Sequence, residues 1–359
     1  MAVETIEAIV SGIQPLEQQW IDNAMARTAQ LVMPPRALGR LHEIAERCCA
    51  IQRTLNPVIE RKAVLVMAGD HGVAREGVSA FPQEVTGAMV QTFLAGGAGI
   101  SAIARHAGVQ VWVVDMGIIP SIDPLSVPGG EHLKVHKIGP GTASFTTGPA
   151  MTREQAEAAV ITGFNLACEQ FEQGMQVLGT GDMGIANTTP SAAIGAAITD
   201  ASLDEMVGRG TGVDDRGLAR KRAVIGKGLE LNQPDARDGL DVLAKVGGFE
   251  IGGIAGMALA GAYCHRPVVI DGFISTAGAL IAQAICPDVT AYLFAGHQSE
   301  EPGHKLMLKH LGLKPILDLG MRLGEGTGGA LAMTIMEAAA KVFKEVMTFA
   351  EAGVAEKNP

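Results

Sequence analysis

The chain has 359 residues, of which 47% are hydrophobic and 18% are charged, so it can bury the core of one large α/β domain or of two domains. Its formal net charge of −10 and its two Trp and two Tyr residues argue against nucleic-acid binding, which uses a basic groove and stacking aromatic rings. The same composition excludes a disordered chain.

The predicted elements begin with helices and continue as alternating strands and helices. Residues 1–50 have a helical pattern, clearest over 41–53. Six short aliphatic runs, each ending in Gly or Asp, predict buried strands at 63–67, 109–114, 175–178, 267–270, 290–294 and 315–317. Helical patterns cover 84–107, 153–173, 191–197, 215–231, 253–264, 276–285 and 328–352. Segment 116–150 lacks periodicity and is predicted as a long loop.

This alternation is typical of an α/β fold with a parallel sheet covered on both faces. We therefore predict an open, Rossmann-like, six-stranded parallel sheet with flanking helices in residues 51–325. The carboxyl ends of its strands should form one edge, where ligands bind in such sheets. Residues 1–50 and 326–359 are predicted to pair into a small helical domain beside the sheet.

The cysteines and the N-terminus indicate where the protein works. Five cysteines occur without Cys-x-x-Cys spacing, which is typical of buried thiols in a reducing compartment. The N-terminus has no basic region before an apolar core, and the longest apolar stretch, 251–264, is too short and glycine-rich to cross a bilayer. We predict a cytoplasmic protein without a membrane segment.

The most informative stretch is the glycine turn after the last predicted strand. Such a turn presents backbone N–H groups to an anion, yet Glu325 lies here between Gly324 and Gly326. A carboxylate repels a phosphate placed against it. Glu325 is therefore better suited to accept a proton from an uncharged or cationic group that lies beside a phosphate site. A first-turn glutamate stabilised by the helix dipole is the alternative.

Two further glycine loops could bind an anion. In 179–190, three glycines precede Asn187, Thr188 and Thr189, which favours a phosphate or ribose loop over a plain N-cap. Its spacing fits neither a P-loop nor a dinucleotide fingerprint. Loop 208–215 precedes a basic run in which Lys221 could serve as countercharge to a phosphate. The Asp214–Asp215 pair within that loop is interpreted as a helix cap, with magnesium binding as the alternative.

Histidines give weaker signals. His71 follows Asp70 at a predicted strand end, and we interpret it as a structural histidine because neighbouring side chains there diverge. His297 and His304 lack the spacing of a zinc helix, so no metal site is predicted. Ser299 between them is a candidate phosphate donor or an exposed turn serine.

Seven motifs occur in a specific order along the chain. They are AGDHGV (68–73), FPQEVT (81–86), GDMGIANTT (181–189), GRGTGVDD (208–215), DGFISTAGA (271–279), GHQSEEPGH (296–304) and LGEGTG (323–328). Together they resemble the nicotinate-nucleotide–dimethylbenzimidazole phosphoribosyltransferase family, from about Pro34 onward. The resemblance implies a homodimer that needs no cofactor or metal. It also implies transfer of phosphoribose from nicotinate mononucleotide to 5,6-dimethylbenzimidazole, with inversion at C1′, giving α-ribazole 5′-phosphate and nicotinate for the cobalamin lower ligand.

The resemblance also implies roles for individual residues. Glu325 matches the family's general base, and Asp182 stands where the family often has Glu, as a second catalytic carboxylate. Ala186 stands where Gly is common. The aromatic base is expected against Phe81, Met89, Met183 and Leu323. The nucleotide and its phosphate are expected against Gly184, Asn187, Thr188, Thr189, Gly210, Thr211, Gly212, Lys221, Asp271, Gly272 and Ser299.

Alternative functions remain open. A related phosphoribosyltransferase could use another acceptor, such as a purine, another benzimidazole or a phenol. A non-catalytic nucleotide-binding regulator could use the same scaffold, although it would not need Glu325. A nicotinamide-dependent dehydrogenase is disfavoured because the dinucleotide fingerprint is missing.

Overall fold

The computed structural model describes residues 3–355, and its centre is one parallel sheet. Seven strands pair in the order β3-β2-β1-β4-β5-β6-β7. Their bounds are β1 Lys62–Gly69, β2 Val109–Gly117, β3 Leu133–Val135, β4 Val177–Met183, β5 Val268–Ile270, β6 Leu293–Ser299 and β7 Pro315–Met321. The strand order reverses beside β1, which pairs with both β2 and β4. Such a reversal opens a crevice at the carboxyl edge of a sheet.

The predicted parallel α/β sheet is confirmed, but its predicted number of six strands is wrong. The missed strand, β3, lies inside the segment 116–150 that was predicted to be a loop. It has three residues, of which only Leu133 is buried, so it leaves no periodic signal. The 3₁₀ turns Pro124–Ser126 and Gly130–His132 lie in the same segment.

Helices cover both faces of the sheet. They are α1 Ile6–Gly12, α2 Gln18–Gln30, α3 Arg40–Gln52, α4 Val85–Leu94, α5 Gly99–Ala107, α6 Arg153–Glu172, α7 Thr188–Thr199, α8 Leu203–Met206, α9 Asp215–Asn232, α10 Gly239–Val246, α11 Phe249–Tyr263, α12 Phe273–Ile285, α13 Gly303–Leu311, α14 Thr327–Glu345 and α15 Phe349–Ala352. Short 3₁₀ helices occupy Gly72–Glu76 and Pro287–Tyr292 as well. Helices α8, α10 and α13 were not predicted.

The predicted continuous helix over 84–107 is in fact two helices. Within residues 3–355, Val85–Ala107 is the single stretch long and apolar enough by composition to cross a membrane. The N–H groups of Ala95 and Gly96 bond back to the carbonyls of Gln91 and Phe93, and Gly96 takes a φ of 73°. This left-handed glycine ends α4 before α5 begins, as glycines commonly do at helix ends.

Five of the six predicted strands extend further toward the carboxyl edge than predicted, and β4 and β6 extend furthest. The run 175–178 becomes β4, which continues through Asp182 and Met183, so the first half of the predicted loop 179–190 is strand. The run 290–294 becomes β6, whose polar residues reach Ser299, while 290–292 belong to a 3₁₀ helix. Glycine and polar residues at these buried strand ends interrupt the apolar pattern on which the prediction depended.

Close helix packing holds the layers together. Helix α11 is buried along nearly its whole length and lies between α6 and the sheet. A Cβ atom added to Gly163 of α6 would lie 2.0 Å from the carbonyl oxygen of Gly253, and one on Gly256 would lie 2.0 Å from that of Val160. The two backbones therefore touch, and only residues without a side chain fit between them.

The two ends of the chain meet. Leu31 forms an isolated antiparallel bridge with Thr348, and the Arg27 guanidinium donates a hydrogen bond to the Phe343 carbonyl. Helix α14 packs against α3, but it also packs against α5 and five strands of the sheet. The separate helical domain formed by 1–50 and 326–359 stays a prediction, because α14 belongs to the sheet's covering layer too.

Candidate active site

A cavity of about 410 Å³ opens at the carboxyl edge of the sheet. Its walls come from α4, from the end of β4 and the turn into α7, from the loop before α9, from the start of α12, from the end of β6 and from the turn between β7 and α14. This is the edge where the strand order reverses, and it is the region to which the sequence assigned the ligand.

Most of the predicted site residues line this cavity, although they come from distant parts of the chain. They are Phe81, Met89, Asp182, Met183, Gly184, Asn187, Thr188, Gly210, Thr211, Gly272, Ser299, Leu323 and Glu325. The other four predicted residues do not line it. Thr189, Lys221 and Asp271 are buried behind the wall, and Gly212 is exposed on the loop before α9.

Glu325 lies in a strained turn. Gly324, Glu325 and Gly326 have φ values of 82°, 63° and 88°, so three consecutive residues adopt the left-handed conformation. A non-glycine residue in that region costs energy and commonly marks a functional position. Helix α14 has Gly326 as its N-cap, so Glu325 precedes the helix and the first-turn alternative is wrong.

The Glu325 side chain faces α5 instead of its own helix. It is 6% exposed, and its Oε2 accepts a hydrogen bond from the Ile100 N–H at 3.0 Å. Burial raises the pKa of this carboxyl, the Ile100 N–H lowers it and the charge of Asp271 raises it again. The result is a carboxylate that is oriented by one donor and is more basic than an exposed glutamate.

Asp271 holds the Glu325 turn from behind. Its Oδ2 accepts from the Gly326 N–H at 3.1 Å, and its Oδ1 accepts from the Gly329 N–H at 2.8 Å. These are donors at the N-terminus of α14, which a carboxylate stabilises. In this structure both Asp271 oxygens are bonded to the wall of the site, and the expected contact between Asp271 and the nucleotide stays a prediction.

Asp182 provides a second buried carboxyl group in the cavity. Its Oδ2 accepts from the Asn187 amide at 2.9 Å, while its Oδ1 has no hydrogen-bond partner among the described residues. Burial raises the pKa of Asp182 well above its usual range, and the charges of Asp271 and Glu325 add to this effect. A cationic group entering the cavity would lower both raised pKa values and so would be attracted to this end.

Apolar side chains stand beside the two carboxyls. The predicted base-contacting residues Met89 and Met183 are partly buried, whereas Phe81 is 53% exposed and Leu323 is 59% exposed. Val85 and Ile185 add to the same wall. A flat apolar ring would cover this surface, as ligands do in mostly apolar pockets.

The predicted phosphate countercharge lies directly behind the cavity wall. The Lys221 ammonium donates to Thr188 Oγ1 at 2.7 Å and to the Gly208 carbonyl at 3.3 Å, and the side chain is 1% exposed. Burial lowers the pKa of Lys221 to about 8. Lys221 therefore braces the Thr188 and Gly210 segments, while Asp214 caps α9 by accepting from the Gly217 N–H.

Two of the histidines have structural partners. His71 Nε2 lies 2.7 Å from Glu250 Oε1 in the core, as interpreted from the sequence. His304 Nδ1 accepts from the Ser299 N–H at 2.8 Å, and its Nε2 lies 2.9 Å from Thr276 Oγ1. Burial lowers the pKa of His304 to about 3, so the ring is neutral at physiological pH. Within residues 3–355, no group of three His, Cys, Asp or Glu side chains could hold a metal ion.

Sequence reasoning missed several residues of the cavity wall. They are Val85, Ile185, Phe273, Ile274, His297, Glu301 and Arg322. His297 had a usable signal, because it lies two residues before Ser299 on one strand and so shares a face with it. The Glu301 carboxylate accepts from the Gly210 N–H at 2.9 Å, a contact that no local pattern reveals.

The comparisons with known proteins agree with one another. A family model described as phosphoribosyltransferase matches residues 13–354. A protein of Geotalea uraniireducens is 52% identical over 351 residues, covering 98% of both chains, and one of Geobacter sulfurreducens is 53% identical over 347 residues, covering 97% of both. Both are named nicotinate-nucleotide–dimethylbenzimidazole phosphoribosyltransferase.

A solved structure supports the same assignment. The crystal structure of CobT from Thermus thermophilus has a TM-score of 0.89 and 46% identity, and the match covers 94% of this chain and all of that one. Both the sequence and the fold are therefore shared across nearly the full length. The chain belongs to the nicotinate-nucleotide–dimethylbenzimidazole phosphoribosyltransferase family.

Proposed function

We propose that this protein transfers the phosphoribosyl group of nicotinate mononucleotide to 5,6-dimethylbenzimidazole, giving α-ribazole 5′-phosphate and nicotinate for the cobalamin lower ligand. One observation carries the proposal: the buried carboxyls of Glu325 and Asp182 line the same cavity as an apolar wall suited to a flat ring. The raised pKa of each carboxyl supports a partner that is cationic or becomes so during the reaction.

The departing group needs no acid. In nicotinate mononucleotide the glycosidic nitrogen is a pyridinium, so the electron pair of the breaking C1′–N bond neutralises that nitrogen. Nicotinate then leaves with a neutral pyridine ring nitrogen and requires no proton from the protein. This fits a site whose acidic side chains are better placed to accept a proton than to stabilise a negative leaving group.

The attacking ring does need a base. One benzimidazole nitrogen donates its lone pair to C1′, which would leave the ring cationic, and the proton on the other nitrogen passes to Glu325. A fixed carboxylate stabilises the developing cation and accepts this proton. Attack on the face opposite nicotinate inverts C1′ from β to α, and holding both rings in line supplies much of the acceleration.

Asp182 acts beside this base. Its unpartnered Oδ1 is buried in the cavity, and a Cβ atom on Gly324 would lie 3.3 Å from both of its carboxylate oxygens, so it adjoins the Glu325 turn. We assign it a supporting role: it adds negative charge when the ring becomes cationic and accepts the proton when Glu325 is removed.

The test is direct incubation of the protein with nicotinate mononucleotide and dimethylbenzimidazole. Chromatography measures released nicotinate, and NMR of the glycosidic proton determines the configuration of the product. We expect one nicotinate for each α-configured product; formation of neither compound refutes the proposal. Purine, phenol and other benzimidazole acceptors, offered in competition, test the acceptor, because the exposed Phe81 and Leu323 leave that wall open.

Assembly and location are proposed on the resemblance. We propose a homodimer in the cytoplasm, as the resemblance to the family implies. Light scattering at micromolar concentration tests the oligomeric state: a mass of one chain would contradict the dimer.

A further inference from the structure

Two cysteines that are distant in the sequence meet in the fold. Cys168 lies near the end of α6 and Cys264 directly follows α11, and their sulfur atoms are 3.3 Å apart although 96 residues separate them. Both residues are partly exposed, and both are free thiols. No Cys-x-x-Cys spacing marks this pair in the sequence, because it is the packing of α6 on α11 that brings the two thiols together.

The helices hold the two sulfur atoms close to each other. Gly163 of α6 touches the backbone of α11. One turn before Cys168, the Phe164 ring packs edge-on against the Tyr263 ring, with the ring centroids 5.2 Å apart, and Tyr263 directly precedes Cys264. A disulfide bond is about 2 Å long, so the sulfur atoms need to approach each other by only about 1.3 Å. Rotations about the side-chain bonds are enough for an approach of this size.

A surface cavity leads to the pair. It has a volume of about 380 Å³, and Cys168 lines it together with His136 and Glu169, so a small oxidant has room to enter. The hydrogen bond from the Cys168 thiol lowers the pKa of Cys264, and the Arg266 guanidinium lowers it too, while burial opposes both effects. A lower pKa favours the thiolate, which is the form of cysteine that reacts with oxidants.

The other three cysteines lack these properties. Cys48 and Cys49 are buried in α3, where burial raises the pKa of Cys48 to about 12 and also raises that of Cys49. Adjacent residues of a helix do not face each other, so these two thiols are badly placed to pair. Cys286 is buried as well, and burial raises its pKa. Reactivity toward an oxidant is therefore concentrated at Cys168 and Cys264.

We propose that Cys168 and Cys264 form a reversible disulfide bond, connecting α6 to the end of α11, when the protein meets a peroxide. The Cys264 thiolate attacks one oxygen of hydrogen peroxide, the O–O bond breaks, and a sulfenic acid forms. The departing hydroxide takes up the proton that Cys264 had lost and becomes water. The Cys168 sulfur then attacks the sulfenic sulfur, and its proton leaves with the second hydroxide as water. Two thiols are oxidised by two electrons, and one peroxide is reduced to two waters.

The bond acts on the stability of the fold. Neither cysteine lines the active-site cavity, but the chain between them includes β4, α7 and the loop before α9, which form one side of that cavity. A disulfide that closes a long loop removes conformational entropy from the unfolded chain. For a loop of this length we expect the midpoint of thermal unfolding to rise by about 5 °C.

The test exposes the reduced, full-length protein to hydrogen peroxide. Thiol titration after denaturation should fall from five free thiols to three, since the bond consumes two. Peptide mapping should find Cys168 and Cys264 in one cross-linked pair that dithiothreitol separates. The rise in the unfolding midpoint should be lost when dithiothreitol is added to the same oxidised sample. Cys168→Ser should form no bond and show no rise, whereas the matched control Cys286→Ser should behave like the unmodified protein.

Three results of the mapping overturn the inference. They are five free thiols after oxidation, a bond between any other two cysteines of one chain or of two chains, and a sulfinic acid at either cysteine in place of the bond. A bond that forms without raising the midpoint refutes the effect on stability. The mapping uses the unmodified protein, so it decides the question even if a serine variant does not fold.

Discussion

Replacing Glu325 with Gln isolates the proton acceptor from the rest of the turn. The Gln side-chain carbonyl can accept the Ile100 N–H at the position where Glu325 Oε2 now accepts it at 3.0 Å. The left-handed φ of 63° places the same demand on both side chains. The fold and the cavity shape should therefore survive, while the amide cannot accept a proton from the attacking ring.

The size of the effect follows from general base catalysis. A positioned base accelerates a reaction by about 10²- to 10⁴-fold, which corresponds to about 3 to 5 kcal/mol. Because Asp182 is buried beside the turn, we expect Glu325→Gln alone to lose about 10²-fold in kcat, near the lower end of that range. The double variant Glu325→Gln/Asp182→Asn should lose about 10⁴-fold.

The assay follows nicotinate release at saturating substrates, with nucleotide affinity measured separately by calorimetry. Nucleotide affinity should be retained in both variants, so that the loss is confined to kcat. Glu300→Gln is the matched control, since Glu300 is exposed and does not line the cavity. Near-normal turnover in the double variant would refute the assignment of a carboxylate base.

Three other predictions concern conformation, packing and pH. Ala186 has a φ of 77°, so Ala186→Gly should stabilise the fold by about 1 kcal/mol in urea unfolding, and a destabilised variant would contradict the strain argument. Gly163→Ala should destabilise it by about 1–3 kcal/mol or more, because the helix backbones touch there. Gly226→Ala is the control and should not destabilise the fold, because its Cβ would meet a single side-chain atom at 3.5 Å. Equal destabilisation by both substitutions would exclude the contact between the helix backbones as the cause. Burial and the charge of Asp271 both raise the pKa of Glu325. As the pH is lowered, kcat/KM should therefore begin to fall at a pH above the pKa of an ordinary glutamate. Asp271→Asn should move that acid limb to lower pH, and an upward shift would refute the coupling.

The sheet was predictable because its signals are local. Aliphatic runs that end in Gly or Asp and alternate with helical patterns indicate buried parallel strands wherever they occur. β3 was missed because a three-residue strand with one buried side chain has no period. The break inside 84–107 was missed because helical patterns continue on both sides of it, although the Gly96–Gly97 pair is a turn signal and the left-handed Gly96 ends the helix there.

The site was predictable in part for the same reason. Glycine turns and polar residues at strand ends indicated which segments meet at the carboxyl edge, and most of the named residues do line the cavity. The direction of each side chain was not predictable. Lys221 is bonded to Thr188 behind the wall, and His297 faces the cavity although the sequence considered it only for metal binding.

The sequence by itself determined the fold class, the edge that holds the site and the carboxylate in its glycine turn, since each depends on residues close together in the chain. Only the tertiary structure decided which residues face the cavity and which support its wall. Asp271 supports the wall because the N–H groups that it accepts belong to Gly326 and Gly329, more than 50 residues further along the chain. The Asp271 carboxylate takes the direction in which its buried oxygens find donors, and tertiary packing decides which distant backbone groups are within its reach.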